Sequence, residues 1–398
     1  MQVNEASIRP AATTCEILHQ LFGARPRGFA VRLWNGTLGP EGVADADVVV
    51  ALTRAGALRR MLGYPLDLAL GESFIRGDFD VEGDLETAFD LLAGTIAPGS
   101  KEILALARLA ARLPRCAGPA SPVRPRAVRL RGARHSRERD RQAIAHHYNV
   151  GNDFFVLWLD RRLVYSCAYF PNGDEDLDAA QEAKLELICR KLRLRPEERL
   201  LDIGCGWGGL VQYAVERYRV SALGVTLSEP QAALAARRIA EAGLADRCRV
   251  EVRDYRDLPA GPFDTVVSVG MFEHVGRARL PEYFAAAYAA LGPGGLFLNH
   301  GISAGLGYEP RRPAATPSFI DRYVFPDGEL VPISEALRVA ERAGFEVRDV
   351  ESLREHYALT LRHWVNRLEA RRAEAVAAAD VPGGCSRPPP RTGLPPRS

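Results

Sequence analysis

LLDIGCGWGG (200–209) is the stretch whose reading decides the fold. Leu200, Leu201 and Ile203 read as the end of a buried strand, and Gly204, Gly206, Gly208 and Gly209 as a turn. GLVQYAVERY (209–218) follows as a helix. Glycine lets the backbone turn sharply and approach a ligand, because no Cβ stands in the way. A lone GxGxxG would also fit a dinucleotide fold. The form here is GxGxG after Leu-Asp, and Asp202 falls at the strand end, where a carboxylate can hold a ligand's ammonium.

Outward from this turn, strands and helices alternate. Strand signals are RLLDIG (199–204), SALGVTL (221–227), RVEVRD (249–254), FDTVVSVGM (263–271) and GGLFLNHGIS (294–303). Helix signals are QEAKLELICRKL (181–192), QAALAARRIAEAG (231–243) and LPEYFAAAYAAL (280–291). Such alternation predicts a Rossmann-like α/β domain with a mostly parallel sheet over 141–374, with ligands outside the carboxyl ends of the strands. A smaller α+β domain is expected over 1–113, with strands in FAVRLWNG (29–36) and ADVVVALT (46–53) and helices in 85–94 and 101–113. The Pro-, Gly- and Arg-rich stretch 114–140 reads as a linker, and 375–398 as a disordered or extended tail.

The net charge of +2 on 398 residues names no partner. Residues 108–141 are rich in arginine and poor in acids, which suits either a solvated linker or a basic surface facing anionic groups. The seven cysteines are scattered and show no metal-ligand spacing, which fits reduced thiols in the cytoplasm. The N-terminus lacks the basic and then apolar pattern of a signal peptide. No run of about 18 apolar residues suggests a spanning helix, so any membrane contact is expected to be peripheral.

The glycine turn resembles the donor loop of class I methyltransferases, which bind S-adenosylmethionine. Many such sites end their second strand in an acid that holds a ribose diol. Here that strand runs into GVTLSEPQ (224–231), so Thr226 and Gln231 are left as the polar groups. Ser228 reads equally as a helix N-cap. HYNVGNDFF (147–155), YSCAYF (165–170), LDIGCGWGG (201–209), GVTLSEPQ, SVGMFEHVG (268–276), YVFPDGEL (323–330) and HYALTLRHW (356–364) together resemble the cyclopropane-fatty-acyl-phospholipid synthases. The mycolic acid cyclopropane synthases share this catalytic half. GESFIRGDFDVEGDLE (71–86) resembles the N-terminal, lipid-binding domain of the phospholipid enzymes.

The resemblance implies the chemistry. An alkene in an acyl chain takes the methyl of S-adenosylmethionine, a carbocation forms, and a base removes a proton from the new methyl as the ring closes. That base is implied to be bicarbonate, held by Cys167, Glu273, His300 and Tyr357 with the Ile302 amide. The donor is implied to be held by Tyr165, Ser166, Asp202, Gly204, Gly206, Trp207, Gly208 and Thr226 through Gln231, with Asp254 or Tyr255 at the adenine edge. A carbocation needs a dry pocket. Phe154, Phe155, Tyr169, Phe170, Phe272 and Tyr323 are candidates to line it with π faces, or are ordinary core. An unsaturated membrane phospholipid is the implied partner, met at the inner face of the membrane; no nucleic acid is expected, and a homodimer is implied. From about residue 380 the sequence departs from the family, which continues past Trp364 through a further helical segment. Two other readings stand beside this one: a methyltransferase that stops before ring closure, and an inactive lipid-binding protein.

Overall fold

The computed structural model describes residues 5–22, 28–39, 46–84, 87–88, 106, 108–115, 130–148, 150–259, 261–305 and 318–379. The described residues fall into two compact units. The first holds those up to 115 together with 318–324; the second holds 130–305 and 325–379.

The first unit is built on a four-stranded sheet of order β2-β1-β3-β4, with β1 at Phe29–Arg32, β2 at Leu38–Gly39, β3 at Val48–Leu52 and β4 at Phe79–Gly83. β1 and β3 are the two expected strands and pair in parallel. Alternation in β3 buries Val48, Val50 and Leu52, as a half-buried strand requires. The helix Glu5–Phe22 adds Ile17 and Leu18 to the same core. The expected helices at 85–94 and 101–113 lie largely outside the described residues.

The second unit carries a five-stranded sheet of order β7-β6-β5-β8-β9, with every pairing parallel. Its strands are β5 (Arg199–Ile203), β6 (Ser221–Thr226), β7 (Cys248–Val252), β8 (Phe263–Val269) and β9 (Leu291–His300). These are the five strands read from the alternation. β5 is central and covered on both faces, so Leu200, Leu201 and Ile203 are at most 1% exposed. The chain builds one side of β5 first, through β6 and β7, and then crosses to β8 and β9. That reversal opens a crevice outside the carboxyl end of β5, where the glycine turn stands.

Two boundaries differ from the sequence reading. The helix Arg137–Tyr148 begins inside 114–140, which read as linker. Several described arginines near it are paired. Arg134 and Arg139 pair with Asp327, Arg137 pairs with Asp257, and Arg141 faces Glu138. Residues 318–324, expected within the catalytic domain, cluster with the first unit instead. The Phe319 amide donates to Asp67 Oδ2 at 3.0 Å, and the Tyr323 hydroxyl donates to Glu72 Oε1 at 2.7 Å. Gly71 makes room for the Phe319 ring, since a Cβ there would lie 2.2 Å from it. Toward the carboxyl end, the helix Arg372–Ala379 runs into the stretch read as tail; 380–398 lie outside the described residues. Among the described residues no helix is long and apolar enough to cross a membrane.

Candidate active site

The glycine turn forms the floor of a cleft at the end of β5. The Gly204 and Cys205 amides both donate to Val225 O, at 2.9 and 3.0 Å, which ties the turn to the end of β6. Two of its glycines answer different needs. At Gly204 (φ +88°) a Cβ would sit 2.7 Å from Met271, so the protein itself excludes a side chain. At Gly206 (φ +55°) a Cβ would meet nothing within 4 Å. There the left-handed backbone and the open cleft, rather than packing, favour glycine.

Asp202 is the next-to-last residue of β5 and is 2% exposed. Burial raises its carboxyl to about 7, with the Lys184 ammonium pulling it back down. Its Oδ1 is buried without a hydrogen-bond partner. Asp202 is not itself in the cleft lining, where β5 contributes Ile203, but its buried acceptor is left open one residue behind it, a place that fits a ligand ammonium. On the β6 side, the Thr226 hydroxyl and Gln231 Oε1 are 2.9 Å apart, and both residues line the cleft. Ser228 is the helix N-cap: its Oγ accepts from the Gln231 amide at 3.4 Å. Tyr255 and Arg256 line the opposite edge, but Asp254 does not. Both Asp254 oxygens accept from Arg256, at 2.6 to 2.9 Å. Trp207 also stands behind the wall rather than in it. It is 2% exposed, donates through Nε1 to Asn152 Oδ1 at 2.8 Å, and packs on Phe155. Gly208 lies behind the turn as well, close to Gln212 and Ala235.

The second constellation is assembled from four separate segments. Glu273 is the second residue of the short helix Phe272–Val275. Its Oε1 accepts from the Ile302 amide at 2.7 Å, and its Oε2 is buried without a partner. Burial pushes this carboxyl up, against the pull of the Ile302 amide. The Ile302 amide, expected to help hold the anion, donates to Glu273 in this structure. His300 ends β9 with its Nδ1 buried and unpartnered; burial and the Lys184 charge hold the ring neutral, down to about 4. Burial lifts the Cys167 thiol to about 11, and its Sγ is directed at the carbonyls of Ala168 and Leu353, at 3.2 and 3.7 Å. Tyr357 is pushed well above the ordinary phenol range by burial, with Tyr165, Glu273 and Cys167 near enough to add to it. Tyr357 thus lies near Glu273 and Cys167, while Glu273 Oε2 and His300 Nδ1 are each buried and left open. That is a set able to hold a small oxyanion and accept its proton.

Tyr165 stands between the two constellations. Its ring centroid lies 5.2 Å from both Trp158 and Trp364, 5.6 Å from Phe155 and 5.7 Å from a stacked His147. Of the aromatics expected to line the pocket, Phe155 belongs to this group. Tyr323 does not, because it is held in the first unit by Glu72. Trp158, whose indole nitrogen is buried without a partner, was not foreseen. Nor were Asp140, Ile144, Tyr148, Met271 and His274 foreseen as part of the donor cleft. The helix Arg137–Tyr148 that carries three of them is mostly polar and shows no core stripe to read.

Residues 135–382 match the family model described as mycolic acid cyclopropane synthetase. The chain belongs to this family. It is therefore a class I methyltransferase in fold, of the S-adenosylmethionine-dependent kind. Like the cyclopropane synthase MmaA2 of Mycobacterium tuberculosis, this family member carries the sheet just described: the two superpose with a TM-score of 0.55 at 36% identity, over 60% of this chain and 86% of that one. The mycolic acid cyclopropane synthase CmaA1, complexed with SAH and CTAB, gives the same TM-score over 61% and 87%. A probable fatty acid methyltransferase of Pseudomonas putida is 40% identical over 356 residues, 87% of this chain and 82% of that protein. The cyclopropane-fatty-acyl-phospholipid synthase of Escherichia coli is 39% identical over 247 residues, 61% of this chain and 62% of that protein.

Proposed function

We propose that this family member adds one carbon from S-adenosylmethionine across the cis double bond of an unsaturated phospholipid acyl chain and closes a cyclopropane ring. The observation that carries the reading is the pair of open, buried acid–base atoms, Glu273 Oε2 and His300 Nδ1, beside a separate donor cleft. Plain methyl transfer to an amine needs no base for a methyl proton. Ring closure does, since the new methyl must lose one hydrogen as its electron pair forms the second carbon–carbon bond.

The donor supplies an electrophilic methyl on a sulfonium. Asp202 holds the donor's ammonium, and Thr226 and Gln231 hold its ribose. Bicarbonate would supply the base between Glu273, His300 and Tyr357. His300, neutral at pH 7, and the Tyr357 hydroxyl would orient it, and Glu273 would accept its proton. The aromatic group around Tyr165 excludes water and presents π faces to developing positive charge without attacking it. The protein meets its substrate at the membrane surface, in the cytoplasm, as a peripheral protein.

A second reading is favoured by the 40% identity to a probable fatty acid methyltransferase: the same first step, ending in a branched chain. One assay separates them. Purified chain, S-adenosylmethionine and vesicles of a monounsaturated phospholipid should yield acyl chains heavier by one CH2, and chromatography should place them with cyclopropane standards. A branched product would install the second reading, and no gain in mass would overturn both.

A further inference from the structure

The irregular segment 160–169 carries Tyr165, Ser166 and Cys167 between the two constellations, and no strand or helix of its own holds it. It is pinned from outside by one face of the helix Leu177–Lys191. Gln181 Nε2 donates to Ser166 O at 2.9 Å and to Val164 O at 3.2 Å, and the Tyr169 amide donates to Ala180 O at 3.1 Å. One turn further along the same face, Lys184 reaches inward. It is 2% exposed, and its Nζ donates to Ser166 Oγ at 3.0 Å.

Taking an ammonium out of water is costly, and one hydroxyl is a poor substitute for its hydration. Four titratable groups face it. Asp160 and Cys167 face it from the irregular segment, Asp202 from the end of β5, and His300 from the end of β9. The Asp160 carboxylate is already committed to the Val164 and Arg162 amides, at 2.7 and 2.8 Å. Asp202 Oδ1 is not committed to any partner.

We propose that Lys184 is a positioning residue for the transfer reaction: an internal cation that fixes the Tyr165–Cys167 segment through Ser166 and keeps Asp202 a carboxylate for the donor's ammonium. The inference rests on the donor reading of the cleft. Burial lowers Lys184 to about 8, with Asp160, Cys167 and Asp202 pulling it up, so it is largely charged at pH 7. Its charge opposes the burial that raises Asp202. It also disfavours a second cation on His300, which therefore stays neutral.

Lys184→Met keeps the stem's packing and removes the charge. Calorimetric titration with S-adenosylmethionine between pH 6 and 8.5, on the full chain, reads the effect. In wild type the affinity should rise with pH through the ionisation of Asp202. In the variant the midpoint of that rise should move up by at least one unit, leaving affinity about fivefold weaker or more at pH 7. Thermal stability should hold, since replacing a buried charge by an apolar side chain is often neutral or better. A merely structural lysine would lower stability and leave the midpoint alone. A folded variant with wild-type affinity and midpoint overturns the proposal. Should Lys184→Met fail to fold, Ser166→Ala removes only the hydroxyl. A several-fold rise in donor KM at unchanged melting temperature supports the proposal, and an unchanged KM overturns it. A wild-type chain that binds no donor at any pH overturns the functional reading instead.

Discussion

The donor cleft and the proton-accepting pocket are built in opposite ways. The cleft is local: one strand–turn–helix, 200–209, and the end of the next strand, 224–231. Its decisive features are backbone features, a left-handed turn at Gly206 and two amides on Val225 O. The pocket is non-local. Cys167, Glu273, His300 and Tyr357 come from four segments, and their decisive features are buried side-chain atoms. The difference teaches that the two halves should fail separately. Damage to the turn should stop donor binding, whereas damage to the pocket should leave binding intact and strand the proton.

The largest expected effect is in the pocket. Glu273→Gln keeps the size and removes the acceptor, so cyclopropanation should fall by about 10²–10⁴, with donor affinity unchanged by calorimetry. Full activity in that variant, together with indifference to bicarbonate depletion, would dissolve the distinction between the halves. Next comes the turn. Gly206→Val places its side chain in the open cleft, where a Cβ meets no protein atom. Donor affinity should drop about 100-fold or more, while the positive φ costs the fold only about 1–2 kcal/mol. An unaltered isotherm would remove the donor site from this turn.

A pH series sharpens the comparison further. Asp202, raised by burial to about 7, must be ionised to hold an ammonium. Donor affinity should therefore weaken as pH falls below about 7, approaching tenfold per unit. Asp202→Asn should bind weakly and without that acid limb. Because the folded-state value is raised, the stability that this protonated carboxyl contributes in acid is lost as pH rises through about 7. The asparagine variant should accordingly melt higher than wild type above pH 7. Smallest is Ser228→Ala. Loss of the cap should cost about 1 kcal/mol of stability, read as melting temperature, with little change in donor affinity. A large loss of affinity would make Ser228 a ligand contact rather than a cap.

The same contrast explains what the sequence made legible. Five parallel strands could be read because buried central strands such as LLDI announce themselves, and the glycine turn could be read because glycine is favoured where a left-handed backbone must also admit a ligand. The helix Arg137–Tyr148 over the cleft could not. Its residues are polar toward solvent and toward partners such as Arg256 and Asp327, so its first turn, 137–140, read as linker. Lys184 sat unremarked in a plain amphipathic helix, because nothing local tells a solvated lysine from one buried against Ser166. Glu273, His300, Cys167 and Tyr357 were visible only through the resemblance of whole motifs, since four isolated side chains carry no spacing. The placing of Tyr323 in the first unit had no local signal at all.

The central claim is that the new methyl surrenders one proton to a buried pocket as a ring closes. It is tested most directly with S-adenosylmethionine carrying a trideuterated methyl, wild-type chain and vesicles of a monounsaturated phospholipid. Mass spectrometry and proton NMR of the released acyl chains read the product. The account predicts exactly one deuterium lost for each carbon transferred, with a CD2 bridge and upfield ring methine signals. A product that keeps all three deuterium atoms in an open, methyl-bearing chain would contradict it.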